Sequence, residues 1–119
     1  DSETLRIIAE SYLQKGYFKD AEIVYERLLE QNSENDTLYQ KLGYCKQMAG
    51  NIQEALKDYL RADLLNPNSK WVIRRIAACY KLLKQPEKAL EYYHRYEVLS
   101  PDNLSIQISI GHCHLELKN

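Results

Sequence analysis

The chain has 119 residues, 45% of them hydrophobic and 28% charged, with a formal net charge of −1. That balance supports a folded core, excludes a polybasic nucleic-acid binder or a charged disordered tail, and leaves no apolar run long enough to cross a membrane. Only 4 Gly and 3 Pro are present, too few for a turn-rich sandwich, while 10 Tyr stand against 1 Phe and 1 Trp, and the Cys count is 3.

In chain order, apolar spacing predicts seven helices, at about 3–15, 18–31, 36–49, 52–65, 70–83, 86–99 and 104–117. Leu5, Ile8, Ala9 and Tyr12 mark one face of the first helix, and Gly16 permits its left-handed end. The second carries Ala21, Val24, Tyr25, Leu28 and Leu29, and Asn32, Ser33, Glu34 and Asn35 end the unit. Asn66-Pro67-Asn68-Ser69 and Ser100-Pro101-Asp102-Asn103 close the next two units and supply side chains that cap the helix after them. Pro86 suits a first helical turn, where its missing N–H is no loss. The last helix is apolar on several sides, through Leu104, Ile106, Ile108, Ile110, Leu115 and Leu117. A terminal helix with that pattern predicts self-association, or cover from further chain, around Ile110.

A 34-residue period runs through these elements. Ala21, Ala55 and Ala89 keep it, as do Tyr25, Tyr59 and Tyr93; Ala9, Gly43, Ala77 and Gly111; Ile8, Leu42, Ile76 and Ile110; and Cys45, Cys79 and Cys113. The expected units are 2–35, 36–69 and 70–103, with 104–119 as the first helix of a fourth. The chain does not begin with Met, and three periods plus a remainder lead to the expectation of a segment cut from a longer array. Small residues at the Ala and Gly columns let helix backbones approach, and the tyrosines fill the space beside them. Ala55→Leu is therefore expected to overpack, at a cost of about 1–3 kcal/mol in a thermal melt.

A 34-residue helix–turn–helix with Leu42-Gly43, Gly50, Ala55, Tyr59, Ala62 and Pro67 in its second unit resembles the tetratricopeptide repeat (TPR) family. The first unit matches through Ile8-Ala9, Tyr12, Gly16, Ala21, Tyr25 and Leu28, and the third through Ile76-Ala77, Tyr80, Ala89, Tyr93 and Pro101. The departures are Leu5, Tyr39, Ile73 and Gln107 where the family has Trp, Lys46 for a tyrosine, and Lys84 for the turn glycine. The resemblance implies an all-α, right-handed α-solenoid of helix–turn–helix repeats with about seven helices. It also implies a concave face formed by the first helix of each unit, with a peptide or protein ligand.

By helical phase, the stripe turned away from the partner helix is Glu3, Arg6, Ile7, Glu10 and Gln14 in the first unit. It is Thr37, Gln40, Lys41, Tyr44 and Met48 in the second. In the third it is Trp71, Arg74, Arg75, Ala78 and Leu82 with Lys81 alongside, and in the fourth fragment Ser105, Ile108, Ser109 and His112. Its middle is basic and aromatic. The candidate partner-binding residues are Arg6, Gln40, Lys41, Tyr44, Trp71, Arg74, Arg75, Ala78 and His112, and the expected partner is a peptide or protein with acidic and apolar groups. The carboxylate clamp of chaperone-binding family members maps to Arg6, Glu10, Lys41, Trp71 and Arg75. Glu10 would repel a carboxylate and Trp71 removes a cation, so that specificity is not expected. The asparagine ladder of the O-linked glucosaminyl transferase superhelix is also absent, its column reading Ile7, Lys41, Arg75 and Ser109.

No catalytic residues, cofactor, metal site, nucleic acid or membrane partner is expected. Helix neighbours point apart, so His112 and His114 cannot share an ion, and His114 falls in the packing column of Tyr12 and Tyr80. The tyrosine rings are expected to pack with their hydroxyls reaching the edge. The three cysteines, separated by whole repeats, are expected as free packing residues in a reducing, cytoplasmic compartment. The alternative function is a structural or oligomerisation segment of a longer solenoid without a peptide ligand of its own.

Overall fold

A computed structural model of the chain describes residues 1–118. Seven helices follow one another: α1 (Ser2–Lys15), α2 (Phe18–Gln31), α3 (Asp36–Met48), α4 (Ile52–Leu65), α5 (Lys70–Leu82), α6 (Pro86–Leu99) and α7 (Leu104–Lys118). Each boundary falls within a residue of its expected place, because the residues that start and stop the helices are local.

The starts of α1, α3, α5 and α7 share a side-chain cap. Asp1 accepts from the Thr4 N–H at 2.8 Å, Asn35 from Leu38 at 3.2 Å, Ser69 from Val72 at 3.4 Å and Asn103 from Ile106 at 3.1 Å. These four residues are themselves one column of the repeat, and each satisfies an orphan donor of the first helical turn. The helices α2, α4 and α6 begin without a side-chain cap at Tyr17, Asn51 and Gln85. The turn before them closes through backbone instead. Gly16 (φ 81°), Gly50 (φ 91°) and Lys84 (φ 63°) adopt the left-handed conformation. The next N–H then reaches back to the carbonyl of Tyr12, Lys46 or Tyr80 at 2.8–2.9 Å. This is the Schellman closure that favours glycine, and Lys84 makes it against its Cβ penalty.

The chain forms two compact units, the first from Asp1 to Asn66 and the second from Pro67 on. In the first, α1 packs on α2, α2 on α3 and α3 on α4. Ala9, Ala21, Tyr25, Leu28, Leu38, Leu42 and Cys45 form a buried cluster there, flanked by Leu5, Tyr12, Phe18 and Val24. The small columns act as expected at Gly43: an added Cβ would lie 2.7 Å from the Tyr59 ring. Ala9, Ala21 and Ala55 are completely buried. Beside this seam Lys46 on α3 meets Asp58 on α4 at 2.8 Å, both side chains largely enclosed.

In the second unit α5 packs on α6 and α6 on α7. Its core joins Ile73, Ala77, Ala89, Tyr93, Tyr96, Ile106, Ile110 and Cys113. Where the first unit places Lys46 and Asp58, the second places Tyr80 and Tyr92, their ring centroids 5.7 Å apart.

Three expectations need correction here. Ile110 is only 8% exposed: with Ile106 and Cys113 it is the inner stripe of α7, so it cannot be the surface that another chain covers. The outward apolar residues are Leu104, Ile108 and Leu115, which with Gly111 run along the opposite side of the helix at steps of four, three and four residues. His114 is exposed and not packed. Gly111 has no described atom within 4 Å of its Cβ position, because no described helix covers that side of α7, so its column does not mark a close approach there.

The tyrosine hydroxyls also differ from expectation. Tyr59 donates to Gln47 Oε1 at 2.7 Å. The Tyr25 hydroxyl is buried without a hydrogen-bond partner among the described residues. Burial, followed by the nearby Cys45 and Glu10, pushes its pKa up to about 12.

Candidate functional site

The predicted binding residues divide between the two units. In the first, Arg6 on α1 is exposed and lies 3.8 Å from Glu3. Gln40 on α3 donates to Asp36 at 3.3 Å, which holds it along its own helix. Lys41 is half-buried. Tyr44 is also half-buried, its ring edge-on to Phe18 of α2 at 6.2 Å. Part of the Tyr44 ring therefore packs within the fold.

In the second unit Trp71, Arg74, Arg75 and Ala78, four of the nine predicted residues, line one cavity of about 380 Å³ on α5. Ser69 caps α5, and Val72, Ile73, Ile76 and Ala77 bury its opposite face, which turns these four outward. Trp71 is 40% exposed, and the Arg75 guanidinium lies over its ring at 4.9 Å. A guanidinium over an indole face is attracted by the ring quadrupole and keeps its edge donors available. Arg74 reaches the other way: Nη2 donates to Ser105 Oγ on α7 at 2.8 Å, and the guanidinium lies 5.9 Å above Tyr96 of α6.

His112 stands outside the cavity, beside it on α7. Its Nδ1 is 3.4 Å from Lys81 Nζ. An ammonium can only donate, so this contact uses the unprotonated ring nitrogen. Lys81 thus belongs with the site more firmly than its marginal place in the helical stripe implied.

Sequence reasoning missed Tyr96. Its column reads Leu28, Ala62 and Tyr96, and the change from alanine to tyrosine was the available signal: the larger ring supplies the platform beneath Arg74.

The cysteines are free and buried. Burial, followed by the nearby Glu22, raises Cys45 to about 11, and burial raises Cys79 to about 11 against the pull of Arg75. Burial also raises Cys113. Such thiols stay protonated at neutral pH and are poor nucleophiles or metal ligands. Among the described residues no group of three or more His, Cys, Asp or Glu is placed to hold a metal ion. Among them too, no helix is long and apolar enough to cross a membrane.

Two family models, both described as tetratricopeptide repeat, match residues 7–35 and 72–103, together more than half of the chain. The chain belongs to the tetratricopeptide repeat family. No curated protein matches it in sequence. Among solved structures it is similar to the first TPR of Spaghetti (RPAP3) bound to the HSP90 peptide SRMEEVD, with a TM-score of 0.89, 19% identity and coverage of 99% of this chain and 94% of that one. It is similar to the Yersinia enterocolitica type III secretion chaperone SycD in complex with a peptide of the translocator YopD, with a TM-score of 0.86, 17% identity and coverage of 96% and 92%. MamA gives a TM-score of 0.92 at 22% identity, with 99% of this chain aligned to 64% of that one. At these identities the likeness establishes the fold, an all-helical TPR array.

Proposed function

We propose that the chain is a protein-interaction scaffold that takes a peptide or a segment of a partner protein on the exposed side of its first-type helices. The observation that carries this is the α5 cavity, where Trp71, Arg74, Arg75 and Ala78 combine an accessible aromatic face, two guanidinium groups and a small floor. Aromatic and Arg side chains are those that dominate binding energy at interfaces. Their charge favours a partner with acidic and apolar groups, His112 extends the same surface, and Arg6, Gln40, Lys41 and Tyr44 offer a separate contact face in the first unit. Peptide-bound neighbours of the same fold, with SycD and Spaghetti among them, support the reading. It assigns the chain no catalysis and no cofactor, and the three protonated thiols suit a reducing compartment such as the cytoplasm.

Selection from a random peptide library displayed on phage tests the proposal. Enriched peptides are expected to lose binding to Trp71→Ala and Arg75→Glu while circular dichroism shows both variants folded. Enrichment that is equal on the parent and both variants, or absent on all three, would overturn it.

A second reading rests on the outward stripe of α7. Leu104 is 73% exposed and Leu115 62%, and an apolar face of that kind suits an oligomerisation segment or a neighbouring helix. Sedimentation velocity separates the readings: a self-associating species that Leu115→Lys dissolves, without change in peptide binding, identifies the α7 contact.

A further inference from the structure

The α5 and α7 helices each carry a triplet of residues along the side where two bridges join them. On α5 these are Arg74, Ala78 and Lys81, and on α7 Ser105, Ile108 and His112, each set spanning two helical turns. Arg74 bonds Ser105 at 2.8 Å at one end, and Lys81 meets His112 at 3.4 Å at the other. Between these bridges lie the small Ala78 and Ile108, which is 52% exposed. The cations stand seven residues apart, about 10.5 Å along the helix axis.

Among the described residues neither cation has a carboxylate within ion-pair distance. The α5 sequence, KWVIRRIAACYKL, carries no carboxylate. Among the described residues Arg74 meets a hydroxyl and a ring face, and Lys81 an imidazole; neither meets a carboxylate. In the apolar middle Ala78 is partly buried and Ile108 is exposed.

From this arrangement we infer that the partner segment is an acidic amphipathic helix lying along α5 and α7, with carboxylates at positions i and i+7 facing Arg74 and Lys81 and apolar side chains at i+3 and i+4 over Ala78 and Ile108. The inference rests on the scaffold reading and specifies its ligand. A helix repeats this face over two turns, so its acids match the spacing of the cations. An extended strand does not. At about 3.3 Å per residue, a three-residue step spans the distance but turns the second side chain to the opposite face. Steps of two or four residues fall short of it or overshoot.

The test uses a fluorescein-labelled, Ala-rich helical peptide with Glu at i and i+7 and Leu at i+3 and i+4. Its controls are a Gln, Gln version and an isomer of equal charge with one Glu moved by two positions. Anisotropy titrations at low salt, with the emission of Trp71 as a second readout, compare them on the intact chain. The matched peptide is expected to bind more tightly than the Gln version by about tenfold for each carboxylate, and the isomer to lose one of those factors. Arg74→Gln and Lys81→Gln should each abolish the advantage of one Glu and not of the other. Equal binding of the matched peptide and its isomer, or variants without selective effect, would overturn the inference. If library peptides still bind in a Trp71-dependent way in that case, the scaffold reading stands and only the helical acidic ligand fails. If no peptide of either kind binds, both fail.

Discussion

The same pair of repeat columns is occupied in opposite ways in the two units. In the first, Lys46 and Asp58 meet as an ion pair at 2.8 Å; in the second, Tyr80 and Tyr92 meet as rings 5.7 Å apart. Burial raises the Asp58 carboxyl and outweighs the lowering by its bond to Lys46. Burial works against the Lys46 ammonium, but the hydrogen bond and charge of Asp58, with Glu22 and Glu26, raise it overall. The rings place far less polar demand on their neighbours and add a contact worth about 0.5–1.5 kcal/mol beyond area burial. The backbone of the repeat is thus indifferent to the chemistry at this seam, provided each solution is complete.

Breaking one half of the polar solution should therefore have the largest effect. Asp58→Ala leaves a largely enclosed ammonium without its carboxylate and is expected to cost about 3–5 kcal/mol in urea unfolding. Replacing the pair together, Lys46→Tyr with Asp58→Tyr, transplants the solution of the second unit. It should recover the loss and match or exceed the parent. A double variant as unstable as the single one would show that the columns are not interchangeable.

The glycines of one column sharpen the contrast. Gly43→Ala drives a Cβ to 2.7 Å from Tyr59 and should cost about 1–3 kcal/mol. Gly111→Ala meets no described atom within 4 Å and should stabilise α7 by about 0.5–1 kcal/mol through helix propensity. Thermal melts of the two variants should move in opposite directions.

Tyr25 and Tyr59 form a smaller contrast. Tyr59→Phe removes the bond to Gln47 and should cost about 1 kcal/mol, whereas Tyr25→Phe removes a buried hydroxyl without a partner among the described residues and should be neutral or stabilising by about that amount. The pH dependence follows with its sign. Tyr25 and Cys45 titrate higher in the fold than free in solution, at about 12 and about 11. Their contribution is complete below the ordinary values of roughly 9–10 and is lost as pH rises through the folded ones. Melting temperature should fall between those limits, less steeply in Tyr25→Phe.

The smallest effect is local. Lys84→Gly relieves the left-handed backbone at φ 63° and should stabilise the second unit by about 1 kcal/mol. No change in its melt would mean that the turn absorbs the Cβ freely.

Most of the fold was legible in the chain because a repeat writes each packing decision several times. The period located all seven helices, the alanine seam, Gly16 and Gly50, and Pro86 at the start of α6, since each depends on a few neighbouring residues. The cap column Asp1, Asn35, Ser69 and Asn103 is equally present in the sequence, as one side-chain acceptor recurring every 34 residues. The candidate site was half legible. Helical phase selected Trp71, Arg74, Arg75 and Ala78, which share a cavity, but phase alone could not separate them from Tyr44, which half-packs against Phe18.

Amino-acid order alone determined the repeat, its helices and the outward stripe of α5, because these follow from interactions within a few turns of chain. Only the tertiary structure decided that Arg74 joins α7 through Ser105, that Lys81 joins it through His112 and that the Tyr25 hydroxyl has no hydrogen-bond partner among the described residues. Those outcomes depend on which helix lies opposite and how far each side chain can reach, and a repeating column does not specify either when its neighbours change from one unit to the next.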